Sequence, residues 1–129
     1  MSRMTVGEAL DAFRVLQHAG RQSTGSIDGT IKVAKAISPA LKELESVVSA
    51  FEIEREALVT KHAARDDEGN VIPADEKGQI RLADPDAWRA DYDALMGEVK
   101  EIESRVDSKG LASLSLTALD LVPILDLLD

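Results

Sequence analysis

The chain reads as a mostly helical α+β protein: a long central helix packed antiparallel on a shorter one, a small β-hairpin between them, and a Leu-rich C-terminal helix. Three observations predict this. Ile37, Leu41, Leu44, Val48, Phe51 and Leu58 follow the steps of four and three that align side chains on one helical face, with Arg55 interrupting. Trp88, Tyr92, Leu95 and Val99 repeat that rhythm over a shorter span. Between the two stripes lies a stretch dense in Gly, Pro, Asp and Asn, which breaks helix and favours turns.

The first helix opens at Thr5. Its hydroxyl can cap the N-terminus while Glu8 bonds back to the cap amide. Val6, Leu10 and Phe13 supply an apolar face, and Gly20 marks the end. Arg21 to Gly29 then reads as a loop. Its two glycines lack Walker spacing and a following Lys-Ser/Thr pair, so it is a connector and not a phosphate cradle. Thr30 to Ala36 fits either a strand or an early helical turn. Ser38 and Pro39 are suited to the N-cap and first position of the long helix, which would run from Pro39 to Ala63 and span about 38 Å at 1.5 Å per residue. Lys42, Glu43, Glu45, Glu52, Glu54 and Glu56 flank it as a solvated exterior.

Val71-Ile72 and Gln79-Ile80-Arg81-Leu82 read as the two strands of the hairpin, with Pro73 confining the first to an edge. Asp84-Pro85-Asp86 restarts helix with a cap, a first-position proline and an acid at the positive end of the dipole. Ile102, Ser104 and Val106 alternate with Glu103 and Arg105 as a third strand would. Leu111 to Leu128 is rich in aliphatic residues, with Thr117 and Asp120 forming a further cap and Pro123 kinking or restarting the helix at that point. No internal repeat or low-complexity tract stands out.

At 129 residues the chain fits one domain. With four aromatic residues, Phe13, Phe51, Trp88 and Tyr92, its core must be aliphatic. The absence of cysteine excludes disulfides, thiolate chemistry and Cys-based zinc sites. Glu8 and Asp11 interrupt any secretory signal, and no apolar run reaches the ~20 residues that span a bilayer. No membrane role is expected, and the host cytoplasm or a particle assembled there is the expected location. Net charge is −9, with residues 1–65 near neutral at +1 and residues 66–129 at −10. Such an acidic second half repels phosphate backbones, so no nucleic-acid partner is expected.

No catalytic constellation assembles, and no cofactor or metal is expected. His18 and His62 are far apart. Glu52 and Glu56 share a face but lie outside the apolar seam, in water, where pKa tuning is weak. Asp66-Asp67-Glu68-Gly69-Asn70 suggests a calcium loop, yet placing Gly69 sixth starts that loop at Ala64, which has no oxygen ligand. A turn is the better reading.

The two helical stripes differ in length, so apolar surface on the long helix must be met by the first helix, the C-terminal segment or another molecule. The C-terminal leucines cannot all face one side of a helix, and a core lid and a partner-docking tail both fit them. Ile37, Leu41, Leu44 and Val48, with Leu121, Ile124, Leu125 and Leu128, are therefore the candidate partner-binding residues. The partner would be a protein or a second copy of the chain.

The order of features resembles a family of small uncharacterised proteins encoded by tailed bacteriophages and prophages. The residues that carry the likeness are Glu8-Ala9-Leu10, Ala40-Leu41-Lys42-Glu43-Leu44-Glu45, Phe51-Glu52-Ile53-Glu54-Arg55-Glu56-Ala57-Leu58, Asp67-Glu68-Gly69-Asn70 and Leu114-Ser115-Leu116-Thr117-Ala118-Leu119. The resemblance implies a phage context and no enzymatic activity. The expected role is contact with a phage structural or host protein, as a virion accessory or assembly component. An acidic inhibitor or regulator of a host protein is the alternative.

Overall fold

Two side chains satisfy two orphan amides at the start of the first helix. The Glu8 amide donates to the Thr5 hydroxyl at 3.1 Å, and the Thr5 amide donates to the Glu8 carboxylate at 2.9 Å. In the computed structural model, which describes residues 2–129, α1 accordingly spans Val6–Arg21 and buries Val6, Ala9, Ala12, Leu16 and Ala19.

The long helix, α2, spans Ile27–His62 and so begins a full three turns before the expected Ser38-Pro39 start. The functioning cap is Ser26, whose hydroxyl accepts from the Gly29 amide at 3.0 Å. The ambiguous stretch from Thr30 to Ala36 is helix, and Pro39 lies inside α2. Proline there deprives the Lys35 carbonyl of its donor and costs about 3 kcal/mol in an unsupported helix. Packing on both sides outweighs that cost: Val33, Ala36 and Ile37 before it, and Ala40 and Leu44 after it, are all buried.

The chain divides into two compact units, one holding residues up to Ser49 together with Val99–Asp129, the other Ala50–Glu98. In the first, β1 (Ser2–Thr5) pairs antiparallel with β2 (Val99–Ile102) in the register Ser2 to Ile102. The strand expected to reach Val106 stops at Ile102 because the next two amides, of Glu103 and Ser104, both donate to the Glu43 carboxylate, at 3.0 and 2.9 Å. Val106 makes a separate parallel bridge to Leu128. Leu16, Leu44, Ile102, Val106, Ile124 and Leu127 form the fully buried centre, which is aliphatic as the composition requires.

The expected C-terminal helix is broken into short pieces. A 3-10 turn at Ser108–Leu111 comes first, then a single helical turn, Ala118–Leu121, capped reciprocally by Thr117 and Asp120. Pro123 has no amide donor to continue it, and Val122–Leu127 tightens into a second 3-10 turn. Arg105 holds that turn's end: its guanidinium donates to the carbonyls of Asp126 (3.0 Å) and Leu128 (2.9 Å) and to the Asp129 carboxylate (3.3 Å).

In the second unit, Asp84 caps α3 (Pro85–Met96) by accepting from the Asp86 and Ala87 amides. Phe51 meets Tyr92 edge-on at 6.2 Å, and His62 meets Trp88 edge-on at 6.0 Å. The two contacts run in opposite chain order, as an antiparallel pair of helices requires. Val99, expected to close the α3 stripe, lies in β2 and is exposed.

The expected hairpin does not form. Val71 bridges to Arg65, and Leu82 bridges to Ala63, so both short runs pair with the chain leaving α2 and not with each other. Two matched turns shape the segment. Asp66 accepts from the Glu68 and Asn70 amides, and its own amide donates to the Asn70 carbonyl. Asp75 does the same with Lys77 and Gln79. Each turn closes at a glycine with positive φ, Gly69 (84°) and Gly78 (76°), a conformation open chiefly to glycine. These matched bonds reveal a short repeat where none was expected: Asp66-Asp67-Glu68-Gly69-Asn70-Val71-Ile72-Pro73-Ala74, then Asp75-Glu76-Lys77-Gly78-Gln79-Ile80-Arg81-Leu82-Ala83.

Candidate docking groove

Where α1 ends, Gly20 comes so near α2 that a Cβ on it would stand 3.1 Å from the Ile37 side chain. Beyond this contact a groove of about 430 Å3 remains open, lined by Gly20, Gln22 and Thr24 on one side and by Thr30, Val33, Ala34, Ile37, Ser38, Leu41, Lys42 and Glu45 of α2 on the other. Val33, Ala34, Ile37 and Leu41 make its floor apolar. Lys42 and Glu45 supply one charge of each sign. The Thr24 hydroxyl donates to the Ser26 carbonyl at 2.7 Å and lies 3.0 Å from the Thr30 hydroxyl, so the loop that walls the groove is tied to the start of α2. Such a site can bury an apolar side chain and offer polar contacts at its rim. Its lining holds no histidine and no pair of carboxylates.

The eight candidate residues separate by burial. Ile37, Leu44 and Ile124 are inside the chain's own core, so their side chains already have partners. The first helix and the C-terminal segment thus occupy much of the apolar face that α2 presents before Ser49. Leu41 is half-buried and reaches the groove. Val48 is also half-buried. Leu121 and Leu128 line a smaller hollow of about 220 Å3 together with Leu111, Leu114 and Leu116. Leu125 is exposed, and with Leu119 and Val122 it forms a spacing of three along the last turns, 83%, 58% and 54% accessible in chain order.

Two polar arrangements escape sequence reasoning. Glu43, expected on the solvated exterior, accepts two amides sixty residues away in the chain. Burial works to raise its carboxyl, but the amides of Glu103 and Ser104 and the Ser104 side chain outweigh this and hold it below its ordinary range. Near the end of α2, Asp91 stands 2.6 Å from His62 Nε2 and accepts from Lys61 Nζ at 3.1 Å. These bonds, His62 first and Lys61 next, hold the Asp91 carboxyl below its ordinary range. An ionised carboxylate can only accept, so His62 Nε2 carries the hydrogen. His62 is buried against Trp88, and the cluster ties the end of α2 to α3.

Among the described residues, no group of three or more His, Asp or Glu is placed to hold a metal ion, and no helix is long and apolar enough to cross a membrane. No protein-family model, curated protein or solved structure matches the chain.

Proposed function

We propose that the chain is a non-enzymatic protein that acts by protein–protein contact, receiving an apolar element of its partner in the groove between the end of α1 and α2. One observation carries this reading. After the core is complete, a cleft presenting the exposed Ala34 and the half-buried Leu41, with the buried Val33 and Ile37 beneath them, stays open to solvent, and an apolar hollow with a polar rim is the common anatomy of a helix- or peptide-docking site. The phage or prophage setting, with a virion accessory or assembly role, belongs to the same proposal and rests on the resemblance carried by the residues named above.

The test uses Leu41, which is half-buried and outside the fully packed centre. A Leu41→Glu variant of the full chain retains its helical circular dichroism and loses capture of the partner that the unaltered chain retains from phage-infected cells. Equal capture by both proteins overturns the groove. The acidic-inhibitor reading is favoured by the second unit, which carries 13 Asp/Glu against 6 Lys/Arg. It predicts binding that falls steeply between low and physiological salt, whereas apolar docking stays nearly constant.

A further inference from the structure

On a different face of α2, Lys32 and Lys35 project from adjoining positions one turn apart, and the 3-10 turn Ser108–Leu111 brings Lys109 beside them around a cleft of about 330 Å3. Gly110 makes this possible: a Cβ there would lie 2.5 Å from the Ala36 Cβ and 3.0 Å from the Lys32 carbonyl, so only glycine lets the turn rest directly on α2. Three lysines therefore line one cleft in a protein of net charge −9, and among the described residues none of the three is paired with a carboxylate. The acid in the lining, Asp107, has one oxygen turned to the Lys109 amide at 3.0 Å, where it caps the turn.

We propose that this cleft binds a small phosphate-bearing anion. Three like charges held together repel one another, and a bound anion would convert that repulsion into attraction. Lysine ammoniums act as point charges that can meet a tetrahedral oxyanion from several directions, and no arginine lines the cleft to impose a planar fork. The open cleft has room for a phosphate or a compact phosphate ester, and the acidity of the rest of the chain disfavours a nucleic-acid backbone.

The measurement is an amide chemical-shift titration of the full chain with inorganic phosphate, and separately with adenosine monophosphate, at ionic strength held constant with sodium chloride. Saturable shifts centred on Lys32, Lys35, Lys109 and Gly110 are expected, and Lys35→Gln or Lys109→Gln weakens binding by about tenfold, the loss of one well-placed charge contact. All three lysines are exposed, so both variants should keep the wild-type spectrum elsewhere. The proposal is overturned by shifts that spread evenly over the chain, by binding that survives both substitutions unchanged, or by a response to a single-stranded oligonucleotide without one to either small phosphate.

Discussion

The two halves of α2 are the same helix held in two different ways. From Ile27 to Ser49 it is fixed by an aliphatic row, in which Val33, Ala36, Ile37, Ala40 and Leu44 are buried. From Ala50 to His62 its only buried side chains are Phe51 and His62, and it is held by edge-on aromatic contacts and by the Asp91 carboxylate. Close-packed aliphatic contacts are costly to disturb, since interiors tolerate neither voids nor excess volume. A half-exposed aromatic and polar cluster depends more on solution conditions. The aliphatic half accordingly carries an internal proline without losing its helix, while Ile53, one turn into the other half, stands exposed.

Substitutions can break this contrast, and the largest effect is expected at Leu44. Leu44→Ala leaves a cavity at a fully buried position and should cost about 3 kcal/mol. Amide exchange should accelerate first across α1, β2 and residues 27–49, and an equal acceleration across α3 would show that the two halves do not behave separately. Gly110→Ala comes next. The added methyl has no room above Ala36, and overpacking of this kind costs about 2 kcal/mol, measurable as a lower midpoint in urea. Glu43→Gln should cost about 1 kcal/mol by replacing a charged acceptor of two amides with a neutral one, and faster exchange of the Glu103 and Ser104 amides, just past β2, would be its spectral sign.

Acid sharpens the comparison with the smallest effect. Asp91 and Glu43 both titrate below their ordinary values of 3.8 and 4.5. Each therefore adds stability that is fully present above the unfolded-state pKa and is lost as pH falls through the folded one. Stability should be flat near neutrality and decline below about pH 4.5. Asp91→Asn should remove the portion of that decline reported by Trp88 fluorescence and leave the portion seen at β2, and an unchanged Trp88 acid transition would remove Asp91 as its cause.

How much of this molecule is legible in its sequence depends on the range of the interactions involved. The caps at Thr5, Asp84 and Thr117 involve residues two or three apart, so the residue types alone announce them. The mostly helical character comes from apolar spacing. The start of α2 is hidden because Ser38-Pro39 is a sound local start signal, and the buried row that overrides it depends on α1 and the C-terminal turns. The hairpin fails for a similar reason: its runs pair with Ala63 and Arg65, which the periodicity of α2 assigns to a helix end. Glu43 carries no signal, since its partners lie sixty residues downstream. Of the groove, Ile37 and Leu41 are legible as an apolar stripe, whereas Gly20, Gln22 and Thr24 enter only once α1 is placed against it.

The paired turns at Asp66 and Asp75 have a consequence for chain length. Each closes on its own aspartate and glycine, and neither borrows a hydrogen bond from the other to do so. The two turns are built alike, although the runs after them pair with different residues: excising residues 66–74 would join Arg65 to Asp75 in the same phase, with Ile80 arriving where Val71 had been. This segment is thus expected to accept the loss of nine residues while α2 and α3 stay helical.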